Sequence, residues 1–469
     1  MNPTSSIPLC VDLDGTLVKV DTLHQAFFLL LRRQPTSIFF LLGWLAKGKA
    51  YLKEQILKRV ELDPTTLPYN HSVLDFLAAE KKAGRTLVLA TAANHRTAQA
   101  VADHLGFFDE VFSSTETTNL RGKEKRNLLQ KKYATFDYIG NDSADFPLWD
   151  AAQKILLANP SYAAKKSYAK TAEHLFEDRP PRWRSILKAI RPQQWLKNGL
   201  IITPLLLAHQ FLEIQLFGTF LAFIAFSFAA SSIYILNDLF DLSADQHHAH
   251  KRFRPFAAGN LPVGLGLGIS AIFILLSATL STFLPLQFGA VLLLYYILTT
   301  LYSWRLKQLE IIDVLTLAVL YALRIVAGGT ATRIPVSAWF IIFSIFLFLS
   351  LALVKRVAEL RETEEEHIGA RERGYTPADL PLLMTFGATS GYLATLVFTM
   401  YLNSEKVRQL YSHPQLLWLF CPLLLYWITR IWLLTWRGQM NDDPLAFAAR
   451  DLATYFVGGI GVILILLAT

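Results

Sequence analysis

Residues 216–245 read LFGTFLAFIAFSFAASSIYILNDLFDLSAD, and this stretch decides the architecture of the larger part of the chain. Residues 216–236 carry no charge and match the ~20 residues that a helix needs to cross a bilayer. The run ends in acids. Asn237, Asp241 and Asp245 recur at i, i+4 and i+8, so a helix places them on one face with Asp238 beside them. Acids at the end of an apolar span are costly unless they face a cavity and bind something. Oxygen donors on one face suit Mg²⁺, which keeps waters and bridges to substrate phosphates. The chain continues His247-His248-Ala249-His250-Lys251-Arg252-Phe253-Arg254-Pro255. Acids followed at once by bases suit a Mg²⁺–diphosphate substrate, with the metal on the acids and the free phosphate oxygens on Lys and Arg.

Further apolar runs lie near 199–213, 264–284, 286–303, 311–328, 336–354, 381–402, 414–434 and 452–468. With 216–236 they predict an all-α polytopic membrane domain of about nine spanning helices. Arg182, Arg184, Lys188, Arg191 and Lys197 precede the first run, and Lys251, Arg252 and Arg254 follow the second. The loop after the sixth is read as carrying Lys355, Arg356, Arg361, Arg371 and Arg373. These basic segments fall on one side, which predicts a cytoplasmic amino-terminal half and an outward carboxyl terminus in an inner-membrane protein. Of 469 residues, 53% are hydrophobic and 17% charged, which excludes a disordered chain. The net charge of +8 is met by basic membrane loops and requires no nucleic-acid partner. Cys10 and Cys421 alone build neither a disulfide framework nor a cysteine zinc site. MNPTSSIPLC has no basic start and leads into a strand, unlike a secretion signal.

Residues 1–180 read as soluble, with a boundary at Arg179-Pro180-Pro181 and a membrane domain over 181–469. Ile7–Val11, Thr86–Ala90, Phe136–Ile139 and Lys154–Ala158 are β-type runs separated by helical patterns, which predicts a Rossmann-like α/β domain with a parallel sheet. The first run ends in Asp12-Leu13-Asp14-Gly15-Thr16, the second at Thr91, and the third in Gly140-Asn141-Asp142-Ser143-Ala144-Asp145. Polar residues at strand carboxyl ends converge on one edge, where open α/β sheets bind ligands. Two acids two apart point to the same side. One can attack phosphorus while the other handles the leaving-group proton. A Thr and a Lys would hold phosphoryl oxygens, and the distal acid cluster would complete a Mg²⁺ site.

This half resembles the haloacid-dehalogenase-like phosphatases through its DxDGT start, Thr91, a Lys after Gly122 and the late acidic cluster. The resemblance implies Asp12 as nucleophile, Asp14 as general acid/base, and Thr91 and Lys125 on the phosphoryl group. Lys125 is preferred to Lys123 because Gly-x-x-Lys is the usual spacing. The family cluster opens with Gly-Asp, whereas Asn141 stands here, which leaves the metal ligands open among Asn141, Asp142 and Asp145 beside Asp12 and Asp14. Residues 18–75 fit a helical cap insertion. Its apolar stretches Ala26–Leu31 and Ile38–Ala46 read as cap core. Arg32-Arg33-Gln34-Pro35 interrupts them, so they cannot span a bilayer; docking on one is the alternative reading.

Residues 185–469 resemble the UbiA-type prenyltransferases, on the NDxxDxxxD signature of Asn237, Asp238, Asp241 and Asp245. Arg191-Pro192-Gln193-Gln194-Trp195-Leu196-Lys197-Asn198, His248 with Lys251, Arg252 and Arg254, Tyr302 with Lys307 and Asp313, Tyr321 with Arg324, and Lys355-Arg356 with Glu359 look like the decaprenyl-phosphate phosphoribosyltransferase branch. The quinone- and haem-pathway branches typically carry a second Asp-rich motif, where this chain has Lys355, Arg356, Glu359, Glu362 and Glu364–Glu366. The resemblance implies phosphoribosyl pyrophosphate as donor and a polyprenyl phosphate as acceptor. Asp238, Asp241 and Asp245, supported by Asn237, would hold Mg²⁺ on the pyrophosphate. Lys251, Arg252 and Arg254 would bind phosphates, and Lys197, Lys307, Arg324, Lys355 and Arg356 would form a second basic site. The fusion suggests that the phosphatase half removes the 5-phosphate of the transfer product. Two alternatives stand beside this: prenyl transfer from a diphosphate to an aromatic acceptor, and a transferase whose soluble domain is regulatory. The sequence leaves prenyl chain length and oligomeric state open.

Overall fold

A computed structural model describes residues 7–366, 374–440 and 444–469. Arg371 and Arg373 lie outside the described residues, as do the side chains of Glu362 and Glu364–Glu366. The chain divides into two compact units, one of Met1–Arg191 with Tyr234–Ala271, the other of Pro192–Ile233 with Ile272–Thr469.

In the first unit six parallel strands form one sheet: β1 (Leu9–Val11), β2 (Leu87–Asn94), β3 (Glu110–Ser114), β4 (Asp137–Gly140), β5 (Ile155–Ala158) and β6 (His174–Phe176). Their order is β3-β2-β1-β4-β5-β6. Val11 pairs with Leu89 on one side and Ile139 on the other. The strand order therefore reverses at β1/β4, and the carboxyl ends of those two strands flank the crevice where such sheets take ligands. β1 and β2 are apolar on both faces because helices cover both, and Leu9, Val11, Leu87 and Leu89 are fully buried.

Between β1 and β2 lie helices Thr22–Arg33, Ile38–Ala46, Lys49–Leu57 and His71–Lys82. Asp21 caps the first by accepting a hydrogen bond from the His24 N–H. Ala26, Leu29 and Leu30 pack on Ile56, Leu57 and Val60. The second apolar stretch corrects the cap-core reading, because no residue of Ile38–Ala46 is buried. A hydrophobic run without helical periodicity does not say which elements will cover it.

Among the described residues, seven helices are long and apolar enough to cross a membrane: Glu213–Phe240, Val263–Ser281, Leu286–Trp304, Ile312–Thr332, Ala338–Arg361, Pro377–Leu402 and Pro414–Trp436. Two of the nine expected runs differ. Run 199–213 folds as the 3₁₀ segment Pro192–Ile202 and the five-residue helix Thr203–Leu207, with Pro204 in its first turn. Leu452–Ala468 is a 17-residue apolar helix. Lys355, Arg356 and Glu359 lie inside the continuous helix Ala338–Glu366, which corrects their placement in a loop.

In the second unit the Pro192–Ile202 segment packs directly on helix Ile312–Thr332. Gly328 permits this, since a Cβ there would stand 2.0 Å from the Ile201 carbonyl oxygen. Neither backbone can yield to that overlap. Gly328→Ala should therefore lower the melting temperature in detergent by about 5 °C or more. Differential scanning fluorimetry of the purified variant checks this.

Candidate functional site

The first centre forms at the β1/β4 crevice. Asp12 follows β1 directly, and its Oδ1 accepts a hydrogen bond from Lys125 Nζ at 2.8 Å. Lys125 sits in the first turn of helix Lys123–Lys132, which starts after Gly122, and it also donates to the Tyr138 hydroxyl at 2.9 Å. Lys123 is exposed, so the structure brings Lys125 and not Lys123 to Asp12. Burial pushes Asp12 up to about 6, with the Lys125 charge pulling the other way. Burial alone would lower Lys125, but the charges of Asp12 and Asp145 outweigh it and hold the ammonium above its ordinary range. Asp14 accepts from the Thr22 N–H at 2.9 Å. Burial, reinforced by the charge of Asp21, pushes Asp14 up to about 7, so it can hold a proton near neutrality. Thr91 is fully buried on β2, and its Oγ1 accepts from the Ala93 N–H at 3.0 Å.

The distal cluster divides its work. Asp145 Oδ2 accepts from the backbone N–H groups of Asn141 (2.9 Å) and Asp142 (3.2 Å), while Oδ1 accepts from the Tyr138 hydroxyl. Asp145 is therefore turned into its own loop, which it holds in shape. Asn141 is turned toward the first acidic loop: a Cβ on Gly15 would stand 2.1 Å from its Nδ2. Gly15 also has φ +78, a conformation that other residues rarely adopt. Gly15→Ala should displace Asn141 and cost about 1 kcal/mol of stability with at least a tenfold loss of phosphomonoesterase activity. Hydrolysis of a soluble phosphomonoester by the full-length variant is the check. Tyr138 was not singled out from the sequence; as an apolar-looking strand residue it gave no signal.

The second centre belongs to the same compact unit. Helix Glu213–Phe240 ends at Phe240, Asp241 turns, and helix Leu242–His247 follows. The hydrogen bonds Asp241 N→Asn237 O and Asp245 N→Asp241 O, both 2.8 Å, preserve the helical spacing across the turn. Asp238 Oδ1 accepts from Arg191 Nη2 at 2.6 Å and Arg254 Nη1 at 3.2 Å. Arg254 Nη1 also bridges to both Asp245 oxygens, at 3.0 and 2.8 Å. Asp241 Oδ1 lies 3.0 Å from Arg32 Nη1 of the cap helix. Arg191 and Arg32 were both outside the sequence-derived site. Arg191 has φ +57, a strained backbone for a residue other than glycine, and stands 5.3 Å over the Tyr234 ring. Arg32 could not have been found from sequence, since its partner is more than two hundred positions away.

The cap meets this acidic end at further points. Gln25 Nε2 donates to Gln246 Oε1 at 2.5 Å, His247 Nε2 lies 3.1 Å from Asp63, and the Phe28 and Phe240 rings meet edge-on at 5.3 Å. Phe28 packs with Ile235, Leu239, Leu242 and Phe256. The rings of His248 and His250 are 6.4 Å apart, Lys251 is half-buried, and Arg252 is exposed with its guanidinium 5.0 Å from the Phe253 ring.

Among the described residues no three acidic, histidine or cysteine side chains converge closely enough to enclose a metal ion. The donor chemistry nevertheless fits. Asp238 Oδ2 is buried without a hydrogen-bond partner, an oxygen that a cation would satisfy. At the first centre Asn141 is packed against the loop that bears Asp12 and Asp14, where its amide could turn an oxygen toward that donor set.

The second compact unit contains two further groupings. Arg324 Nε donates to Asn198 Oδ1 at 2.9 Å, its Nη2 donates to the Tyr295 hydroxyl at 3.2 Å, and its guanidinium lies 5.3 Å from the Tyr321 ring. Lys197 Nζ stands 6.0 Å over the same Tyr321 ring. In the second grouping Arg356 Nη2 lies 2.6 Å from Asp313 Oδ2, off the hydrogen-bond line, and Arg356 also pairs with Glu359. Tyr375 donates to Asp313 Oδ1 at 2.6 Å. Lys355 pairs with Glu359 at 3.8 Å. Tyr302 and Lys307 are half-buried near the end of helix Leu286–Trp304. Fully buried charges on membrane helices mark function by default. Tyr295 and Tyr375 were missed because neither a tyrosine in an apolar run nor one in a polar connecting segment carries a pattern.

The UbiA prenyltransferase family model matches residues 200–457, and the haloacid dehalogenase-like hydrolase model matches residues 9–150. The chain is 35% identical over 465 residues, 97% of its length and 89% of the relative's, to an uncharacterized protein of Sinorhizobium fredii. It is 34% identical over 213 residues, 44% of its length and 70% of the relative's, to the decaprenyl-phosphate phosphoribosyltransferase of Mycobacterium tuberculosis. A UbiA homolog from Archaeoglobus fulgidus, solved bound to DMAPP and Mg²⁺, matches with 16% identity and TM-score 0.47, covering 60% of this chain and 99% of that one.

Proposed function

Because the chain belongs to the UbiA prenyltransferase family and carries a haloacid dehalogenase-like hydrolase domain before its membrane spans, we propose that it is a two-step enzyme of lipid-linked sugar synthesis. It transfers the 5-phosphoribosyl group from phosphoribosyl pyrophosphate to a polyprenyl phosphate, then removes the 5-phosphate to leave polyprenyl-phosphoryl ribose. The observation that carries this reading is the Arg32–Asp241 pair of 3.0 Å, which joins the phosphatase cap to the acidic end of the transferase span within one compact unit. The similarity to decaprenyl-phosphate phosphoribosyltransferases supports the choice of donor and acceptor.

In the transfer step the bond from the ribose anomeric carbon to pyrophosphate breaks, and an oxygen of the lipid phosphate forms the new bond. Asp238, Asp241 and Asp245, with Asn237, would hold Mg²⁺, which would neutralise the pyrophosphate leaving group. Arg191 and Arg254, together with Lys251 and Arg252, bind phosphate oxygens. Lys197, Asn198, His248, Tyr302, Lys307, Asp313, Arg324, Lys355, Arg356 and Glu359 are assigned to substrate binding.

In the second step the Asp12 carboxylate attacks the phosphorus of the 5-phosphate, and Asp14 donates a proton to the departing ribose 5-oxygen. Asp14 then takes a proton from the water that attacks the same phosphorus and frees Asp12. Lys125 neutralises the phosphoryl oxygens and orients Asp12, and Thr91 binds a phosphoryl oxygen. Asp12, Asp14 and Asn141, with Asp142 beside them, would hold the Mg²⁺ that screens the phosphate charge; Asp145 maintains the loop. The amino-terminal domain lies on the cytoplasmic side of the inner membrane, following the basic segments.

Donor choice tests this reading. The purified full chain with Mg²⁺ and polyprenyl phosphate should consume phosphoribosyl pyrophosphate. Consumption instead of a prenyl diphosphate with an aromatic acceptor would overturn it.

A further inference from the structure

Helix Ile38–Ala46 of the cap, IFFLLGWLA, is apolar at every position except Gly43, yet none of its residues is buried. Phe39 is 82% exposed, Leu42 79%, and Ile38, Phe40 and Leu45 are also exposed. Trp44 packs against the cap core and lies beneath the Arg59 guanidinium at 4.5 Å. A contiguous apolar surface of this kind marks an interaction site.

Three observations identify what covers it. The preceding helix, Thr22–Arg33, is tied to the end of a spanning helix by Arg32–Asp241 at 3.0 Å and Phe28–Phe240 at 5.3 Å. The end of a spanning helix is where hydrocarbon meets water, so Arg32 stands at that level, and the apolar helix begins five residues after Arg33. Next, Arg33, Lys47 and Lys49 are exposed and bracket the helix, and the sequence from 33 to 49 contains no acid. Bases flanking an apolar helix complement anionic lipid headgroups, and would repel one another across a symmetric contact between two copies. Finally, nine residues of helix extend about 14 Å, less than half a bilayer's hydrocarbon thickness, so the segment lies in the interface and does not cross.

We propose that Ile38–Ala46 is an interfacial membrane anchor, inserted among headgroups and upper acyl chains beside the acidic end of helix Glu213–Phe240. The occupant of the exposed face is the lipid bilayer itself. The anchor fixes the cap at headgroup level, where a phosphate borne on a lipid would be presented. The docking stands whether or not the domain hydrolyses such a substrate.

The test uses the full-length protein in nanodiscs of phosphatidylcholine and phosphatidylglycerol. In a Cys421→Ser background, Phe39→Cys and Leu42→Cys are each labelled with an environment-sensitive fluorophore; Cys10 is buried and stays in place. Tyr162→Cys, at a position 84% exposed on the same unit, serves as the aqueous control. The proposal expects blue-shifted emission at positions 39 and 42, quenched several-fold more by an acyl-chain nitroxide than at 162, with iodide showing the reverse order. Iodide access at 39 and 42 equal to that at 162 would overturn it. So would protection from both quenchers, which would assign the face to a second copy or another protein.

Discussion

Asp12→Asn should stop the pathway at lipid-linked phosphoribose, with hydrolysis of the 5-phosphate reduced by about 10³-fold or more and transfer unchanged. The amide cannot attack phosphorus, and no neighbour replaces it. Asp14 is directed by the Thr22 N–H, while Asp145 is committed to its own loop and to Tyr138. The variant should fold. Asn can still accept from Lys125, and losing the carboxylate also removes a buried charge whose burial disfavours it. Mass analysis of lipid products from the full-length variant is the measurement. Equal loss of transfer and hydrolysis would show that the two centres do not act separately.

Asp241→Asn should give the reverse outcome. Transfer should fall by about 100-fold or more, because the variant withdraws a charged oxygen from the Mg²⁺–pyrophosphate site. Hydrolysis of a soluble phosphomonoester should persist, since Asp241 belongs to none of the hydrogen bonds around Asp12, Asp14 and Lys125. Both side chains of the Arg32–Asp241 pair keep partial contact with solvent, 31% and 22%, which makes the pair's own contribution to stability small. Steady-state assays of both reactions on one preparation separate the predicted result from general misfolding, which would remove both activities together.

Much of this organisation could be read from the residues. The four strand runs read from sequence overlap β1, β2, β4 and β5 because all four are largely buried and apolar, although β2 continues past Ala90 to Asn94. The other two strands were not legible. β3, EVFSS, is mostly half-buried, and β6, HLF, is a three-residue edge strand with two exposed positions. Such segments take their structure from pairing rather than from a local pattern. Asp12, Asp14 and Lys125 could be placed together because each ends a strand or opens a helix at one sheet edge. The acids after the second apolar run were equally plain.

What the sequence did not show are the partners that carry no local pattern, whether far along the chain or close by. Arg32 reaches Asp241, Tyr138 binds both Lys125 and Asp145, and Tyr375 binds Asp313. Hydropathy also overran its information at Ile38–Ala46. It signals that a segment avoids water, but not whether protein or lipid replaces the water.

The most direct measurement is the mass of the lipid made by the wild-type chain from phosphoribosyl pyrophosphate and polyprenyl phosphate with Mg²⁺. The account predicts polyprenyl-phosphoryl ribose, with one pyrophosphate and one inorganic phosphate released per lipid consumed. A lipid product that carries no ribose, or one that keeps its 5-phosphate at completion, would contradict it.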